Sequence, residues 1–148
     1  MLEKAMILAA KGHMGQLDKG GHPYILHPVR VMLHCRTLEE KTVAMLHDVL
    51  EDTDITEEML REEGFTERVV ETVVCLTKGE GEDYMDYIGR VAKNPLAIQV
   101  KLADLEDNMD LNRLPGLTQK DFKRLERYLR AKAFLLEVIE NNRKEEYL

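Results

Sequence analysis

Apolar residues recur along this chain at the three- and four-residue spacing of helix faces, without the sustained two-residue alternation of strands. Met6, Ala9, Ala10 and His13 share one face of a first segment, Leu2 to His13. A polar, glycine-containing loop follows, and Gly20-Gly21-His22-Pro23 turns the backbone out of any helix. Pro28 suits the first turn of a second helix, where its missing N–H costs nothing, so His27 stands at the start of a segment reaching about Arg36. Leu38 to Glu51 reads as one apolar helix carrying Val43, Ala44, Leu46, Val49 and Leu50, ended by Asp52-Thr53-Asp54. Thr56 opens a short helix that Gly64 closes. Thr66 then caps a helix bearing Val69, Val70, Val73, Val74 and Leu76.

Asp83 to Lys93 and Leu96 to Leu111 form two more helical segments, separated by Asn94-Pro95. From Thr118 to about Asn141 a long helix presents Phe122, Leu125, Leu129, Phe134, Leu135 and Ile139 to the rest of the chain, and Arg143 to Leu148 is expected to fray. Between them, Lys78-Gly79-Glu80-Gly81-Glu82 reads as an ordinary solvated loop or as a lid over a site. The expected fold is all-α, a single compact helical bundle over residues 1–148.

Composition agrees with that pattern. Of 148 residues, 44% are hydrophobic, 33% charged and only 5% aromatic, with no tryptophan, a balance that favours helices over sheet. The formal net charge of -7 argues against sequence-independent binding to nucleic-acid backbones. A small phosphorylated ligand stays compatible with it, because a bound divalent cation reverses the local field. Cys35 and Cys75 lie in apolar helical patterns without a CxxC partner and read as reduced core thiols. No apolar run approaches a membrane span, and the Ala5–Ala10 stretch lacks the layout of a signal peptide, so a cytoplasmic location is expected.

The chemistry concentrates around His47. An imidazole beside Asp48, with Glu51 and Asp52 one turn on, sets three carboxylates about a histidine on an otherwise apolar helix. Such a group is costly to desolvate unless a cation sits among its members. Four positions stand out as metal ligands: His27, His47, Asp48 and Asp104. Two imidazoles and two carboxylates form a mixed nitrogen/oxygen set that suits Mn, Fe or Zn better than Ca and leaves positions open for water and substrate. Lys101, Asp107 and Asn108 fall on the same side of a helix as Asp104. Lys101 would serve there as a point charge for a phosphate, and Asn108 as a partner for a sugar hydroxyl or a water.

Five blocks then carry a resemblance: His13-x-Gly-Gln16, Pro23-Tyr24-Ile25-x-His27-Pro28, Leu46-His47-Asp48-Val49-x-Glu51-Asp52-Thr53, Leu76-Thr77-Lys78, and Lys101-Leu102-Ala103-Asp104-x-x-x-Asn108-Met109. In order and spacing they resemble the HD-domain hydrolase half of the RelA/SpoT alarmone enzymes and the small alarmone hydrolases, over roughly residues 1–114. The resemblance implies an all-helical fold and a Mn²⁺ ion on His27, His47, Asp48 and Asp104. It also implies that Glu51 and Asp52 act on the water attacking the 3′-pyrophosphate of guanosine tetraphosphate (ppGpp), with Lys19 retained beside the substrate. The synthetase half of the long enzymes is expected to be absent.

The chain departs from the family on the substrate side. Asp18 stands where the family carries an arginine, and Leu105, Asp107, Asp110 and Leu111 replace residues of its Arg-x-His-Asn-Met-Arg-Thr run. The added acids are expected to repel a nucleotide with two pyrophosphates. The reading at this point is a metal-dependent phosphohydrolase for a nucleotide or related phosphorylated metabolite, with a homo-oligomer left open. A nucleotide-binding sensor without turnover and a helical interaction protein are the alternatives.

Overall fold

The computed structural model describes residues 1–147 and is built of helices, as the apolar spacing predicts. In chain order they are α1 (Leu2–Gly12), α2 (Leu26–His34), α3 (Leu38–Leu46), α4 (Val49–Asp52), α5 (Glu57–Glu62), α6 (Glu67–Cys75), α7 (Tyr84–Val91), α8 (Pro95–Asn108) and α9 (Gln119–Glu146), with a 3-10 turn at Leu111–Arg113.

Local chemistry explains where most of them begin. Thr37 accepts the Glu40 amide while Glu40 reaches back to the amide of Thr37, a reciprocal cap at the start of α3. Thr118 and Asp121 repeat that arrangement at α9. Thr56, Thr66, Asp83 and Asn94 each accept an amide from the first turn they precede, and Pro95 occupies the first turn of α8.

Packing follows from which faces are apolar. The stretch Thr42–Leu46 of α3 is buried on every side, so α3 runs through the centre with α1, α2, α6 and α8 against it. Helix α8 buries residues around most of its circumference, including Leu96, Ile98, Val100, Ala103 and Leu105, and joins the centre to α7 and α9. Helix α9 covers one flank with Ala131 and Leu135. Cys35 and Cys75 are free thiols, buried and half-buried. Among the described residues no helix is long and apolar enough to cross a membrane.

Three boundaries differ from expectation. The segment Leu38 to Glu51 is broken at His47-Asp48, where the amide of His47 bonds back only three residues to Ala44 and Asp48 takes φ -107° and ψ -1°. Apolar periodicity runs across this break, because the side chains on both sides face the same core. Helix α8 stops at Asn108, three residues short of Leu111, as the chain tightens into the 3-10 turn. Helix α9 continues to Glu146 instead of fraying from Arg143, with basic side chains in its last turn set against the helix dipole. Leu148 lies outside the described residues.

Candidate metal centre

The helix break sets the geometry of the site. It turns the His47 ring so that Nδ1–H donates to the Ala44 carbonyl at 2.6 Å, which leaves Nε2 as the free nitrogen. His27, in the first turn of α2, is held in the same way: its Nδ1 faces Asp107 Oδ2 at 2.7 Å. The two free Nε2 atoms then meet at 3.2 Å. Asp104 Oδ1 lies 3.0 Å from the nitrogen of His27 and 3.5 Å from that of His47.

His27, His47 and Asp104, all buried, form a group whose donor atoms converge closely enough for one metal ion. Asp48 joins from the side, with Oδ2 3.1 Å from His47 Nε2 and 3.6 Å from His27 Nε2. Two imidazole nitrogens with lone pairs facing each other, flanked by carboxylates, need positive charge between them. The residues therefore fit a divalent ion. Burial alone would push the His47 ring down, but Asp48 and Asp104 hold it well above the ordinary histidine value. A proton and a metal ion thus answer the same electrostatic demand.

Each of these side chains has a supporting partner. Asp104 Oδ2 accepts Lys101 Nζ at 2.8 Å, and its Oδ1 accepts the Asn108 amide at 2.9 Å. Lys101 is buried and also lies over the rings of Tyr84 and Tyr87. The structure thus puts Lys101 behind Asp104, which differs from the expectation that it meets a phosphate: a fully desolvated ammonium needs its carboxylate more than α8 needs a surface charge. The Tyr24 hydroxyl donates to Asp48. Glu51 and Asp52, on α4, are exposed beside the cluster. Partial desolvation, with the charges of Asp52 and Asp48 acting on Glu51 and that of Asp48 on Asp52, raises both carboxyls above their ordinary values.

Next to the cluster opens a cavity of about 320 Å³ that reaches from His27 and Tyr24 to Lys19, Asn108, Arg124 and Tyr128. Of the three predicted substrate residues, Lys19 and Asn108 line it and Lys101 does not.

The acids expected to repel a substrate are engaged internally. Asp18 Oδ1 accepts the amides of Gly20 and His22, both at 2.9 Å, and so organises its own loop. Asp107 is buried against His27, Arg30 and Arg113, while Asp110 pairs with Arg113. Spacing on one helix face showed where these acids lie but not the arginines that other segments bring to them.

Several residues beside the site carried no role in the sequence reading: Tyr24, Arg30, Arg113, Arg124 and Tyr128. Tyr24 had a signal in its place within the Pro-Tyr-Ile block. Arg124 and Tyr128 had none, being ordinary residues of a long polar helix. His13 is buried with Nδ1 2.8 Å from Gln16 Oε1, and its ring lies 4.9 Å from that of Tyr24.

No protein-family model matches the chain. It is 38% identical over 120 residues to the guanosine-3′,5′-bis(diphosphate) 3′-pyrophosphohydrolase of Aquifex aeolicus, an alignment covering 73% of this chain and 17% of that protein. Over 126 residues it is 36% identical to the GTP pyrophosphokinase of Myxococcus xanthus, covering 74% and 17%. To the guanosine-3′,5′-bis(diphosphate) 3′-pyrophosphohydrolase of Vibrio cholerae it is 33% identical over 138 residues, covering 83% and 19%. The chain therefore spans less than a fifth of the length of these curated relatives, 17% or 19% in each case. Among solved structures it matches a metazoan ortholog of SpoT, reported to hydrolyse ppGpp and to play a role in starvation responses. That match has a TM-score of 0.70 and 25% identity, over 95% of this chain and 94% of that one. In sequence and in architecture, this chain is a RelA/SpoT hydrolase-like protein of the all-helical HD type.

Proposed function

We propose that the chain is a metal-dependent phosphohydrolase acting on a nucleotide or related phosphorylated metabolite, with ppGpp as the first substrate to test. The observation that carries this reading is the 3.2 Å approach of His27 Nε2 and His47 Nε2, with each Nδ1 committed elsewhere and Asp104 closing the group. His27, His47, Asp48 and Asp104 would hold one divalent ion, with Mn²⁺ proposed first. When bound, such an ion polarises a phosphoryl oxygen and lowers the pKa of a coordinated water.

The chain's own groups supply the remainder. Glu51 and Asp52 stand as acceptors for the proton of the attacking water, and their raised carboxyls match that task better than ordinary surface acids. The water oxygen bonds to the phosphorus attached to the 3′ oxygen, the bond from that phosphorus to the 3′ oxygen breaks, and the 3′ oxygen takes up a proton, so that pyrophosphate and GDP are the products. Lys19 offers a cation to substrate from the wall of the cavity. Asn108 spends its N–H on Asp104 and keeps its carbonyl oxygen for a ligand hydroxyl or water. Lys101 keeps Asp104 ionised and oriented.

The test is a screen of the Mn²⁺-loaded protein against ppGpp and a panel of phosphorylated nucleotides and sugars, following phosphate and pyrophosphate release. Release that stops on chelation is the expected result. A loaded protein that releases neither product from any member would overturn the hydrolase reading.

A further inference from the structure

The Asp107 side chain is 3% exposed, although it belongs to the polar end of α8. Three side chains from two elements converge on it. His27, from α2, presents Nδ1 at 2.7 Å from Oδ2. Arg30, one turn further along α2, donates Nε to Oδ1 at 2.7 Å and Nη2 to Oδ2 at 3.2 Å, a two-pronged grip. Arg113, from the 3-10 turn, donates Nη2 to the Asp107 carbonyl at 2.9 Å and approaches Oδ2 at 3.4 Å.

A buried carboxylate could have been matched by one arginine. Here it bridges an arginine pair to the rear nitrogen of a candidate metal ligand. We propose that Asp107 is a positioning residue for His27: it fixes the Nδ1–H tautomer, aims Nε2 at the centre and raises the ring's donor strength. Arg30 and Arg113 act through it, holding Asp107 ionised and still. The assignment rests on the metal-centre reading above.

The geometry has a built-in comparison. His47 donates its rear hydrogen bond to a neutral carbonyl, that of Ala44, whereas His27 donates its own to a carboxylate. A charged acceptor polarises an imidazole more than a neutral one, so His27 becomes the stronger of the two nitrogen ligands. The pairing also bears on an anionic ligand in the cavity, since the charge of Asp107 is already matched by Arg30 and Arg113.

The test compares Asp107→Asn with Glu106→Gln, which neutralises the next acid on α8. Glu106 pairs with Lys132 at 2.5 Å and does not touch the cluster. Mn²⁺ affinity is measured by paramagnetic-resonance titration. Asp107→Asn should weaken it about 10- to 100-fold, the usual scale for loss of such a partner, while Glu106→Gln leaves it unchanged.

A second readout uses the wild type alone, so a variant that fails to fold does not spare the proposal. In the Zn²⁺-loaded protein, the Nδ1 proton of His27 should resonate further downfield than that of His47, because its acceptor is a carboxylate and not a carbonyl. An Asp107 paired only with its arginines would leave the two protons alike. Equal Mn²⁺ affinity in the two variants, or two Nδ1 protons with the same shift, overturns the assignment and leaves the metal centre standing. A wild type that binds neither Mn²⁺ nor Zn²⁺ overturns both.

Discussion

Lys101 reaches Asp104 across one helical turn, its Nζ 2.8 Å from Oδ2, with both side chains buried. A desolvated charge pair of this kind contributes little by existing, yet losing one member leaves the other unmatched. Lys101→Met should therefore destabilise the metal-free protein by about 3–5 kcal/mol in denaturant unfolding. Saturating Mn²⁺ should recover part of the loss by supplying positive charge to Asp104 from its other side. A loss below about 1 kcal/mol would show that Asp104 does not depend on Lys101.

Metal binding should also appear in thermal melting. At a free metal concentration near 100 times its Kd, binding adds about 2.7 kcal/mol to stability. For a chain of this size that corresponds to roughly 5–10 °C in Tm. Chelation should remove the gain. His47→Ala should melt at one temperature with or without Mn²⁺.

Glu51→Gln separates holding the ion from using it. The side chain is exposed on α4 and takes no part in the close cluster of donors. The variant should bind Mn²⁺ with unchanged affinity and lose about 10²- to 10⁴-fold in kcat on whichever substrate the screen identifies. An unchanged rate would remove Glu51 from proton transfer.

Gly20 tests how the cavity wall is closed. A Cβ at this position would lie 2.6 Å from the Arg113 carbonyl oxygen and 3.0 Å from the His22 ring. Gly20→Ala should cost about 1–3 kcal/mol, as overpacking does, and push the early loop away from the 3-10 turn. Stability and Mn²⁺ affinity measured together will show whether that shift reaches Asp107 through Arg113.

The loop Lys78–Glu82 is tied down by Glu82, which accepts Arg90 at 2.8 Å and 3.0 Å and the Gly79 amide at 2.9 Å. These bonds lower the Glu82 carboxyl from the ordinary 4.5 to about 2. Its contribution to stability is therefore fully present above pH 4.5 and is lost as pH falls through about 2. The Tm difference between wild type and Glu82→Gln should be constant near neutral pH and shrink across that acid window. A difference unaffected by acid would mean that Glu82 does not tether the loop.

Much of this protein could be read from local rules. Caps at Thr66, Asn94 and Thr118 depend on a side chain and the amides just after it, so they are visible in a few consecutive letters. The same holds for the apolar face of α6, whereas on α9 Leu135 is buried as expected but Phe122 and Leu129 stand half-exposed. Four candidate ligands could be nominated from the sequence too, because imidazoles and carboxylates set into apolar runs carry a desolvation cost that only a cation or a tight partner relieves, and three of them, His27, His47 and Asp104, converge in the fold.

Tertiary structure decided what distance along the chain conceals. Whether Lys101 faces a phosphate or backs Asp104 depends on which side of α8 the tyrosines of α7 cover. The break at His47 turns its ring toward His27, a residue twenty positions earlier, and neither the break nor that partner shows in the apolar spacing. Asp107 reads as a repulsive surface acid until Arg30 and Arg113 arrive from other segments and His27 takes its second oxygen. Charge at a position is written in the sequence, but its sign of effect is set by the partner across the fold, since Coulomb energy in a buried site depends on distances that packing alone fixes.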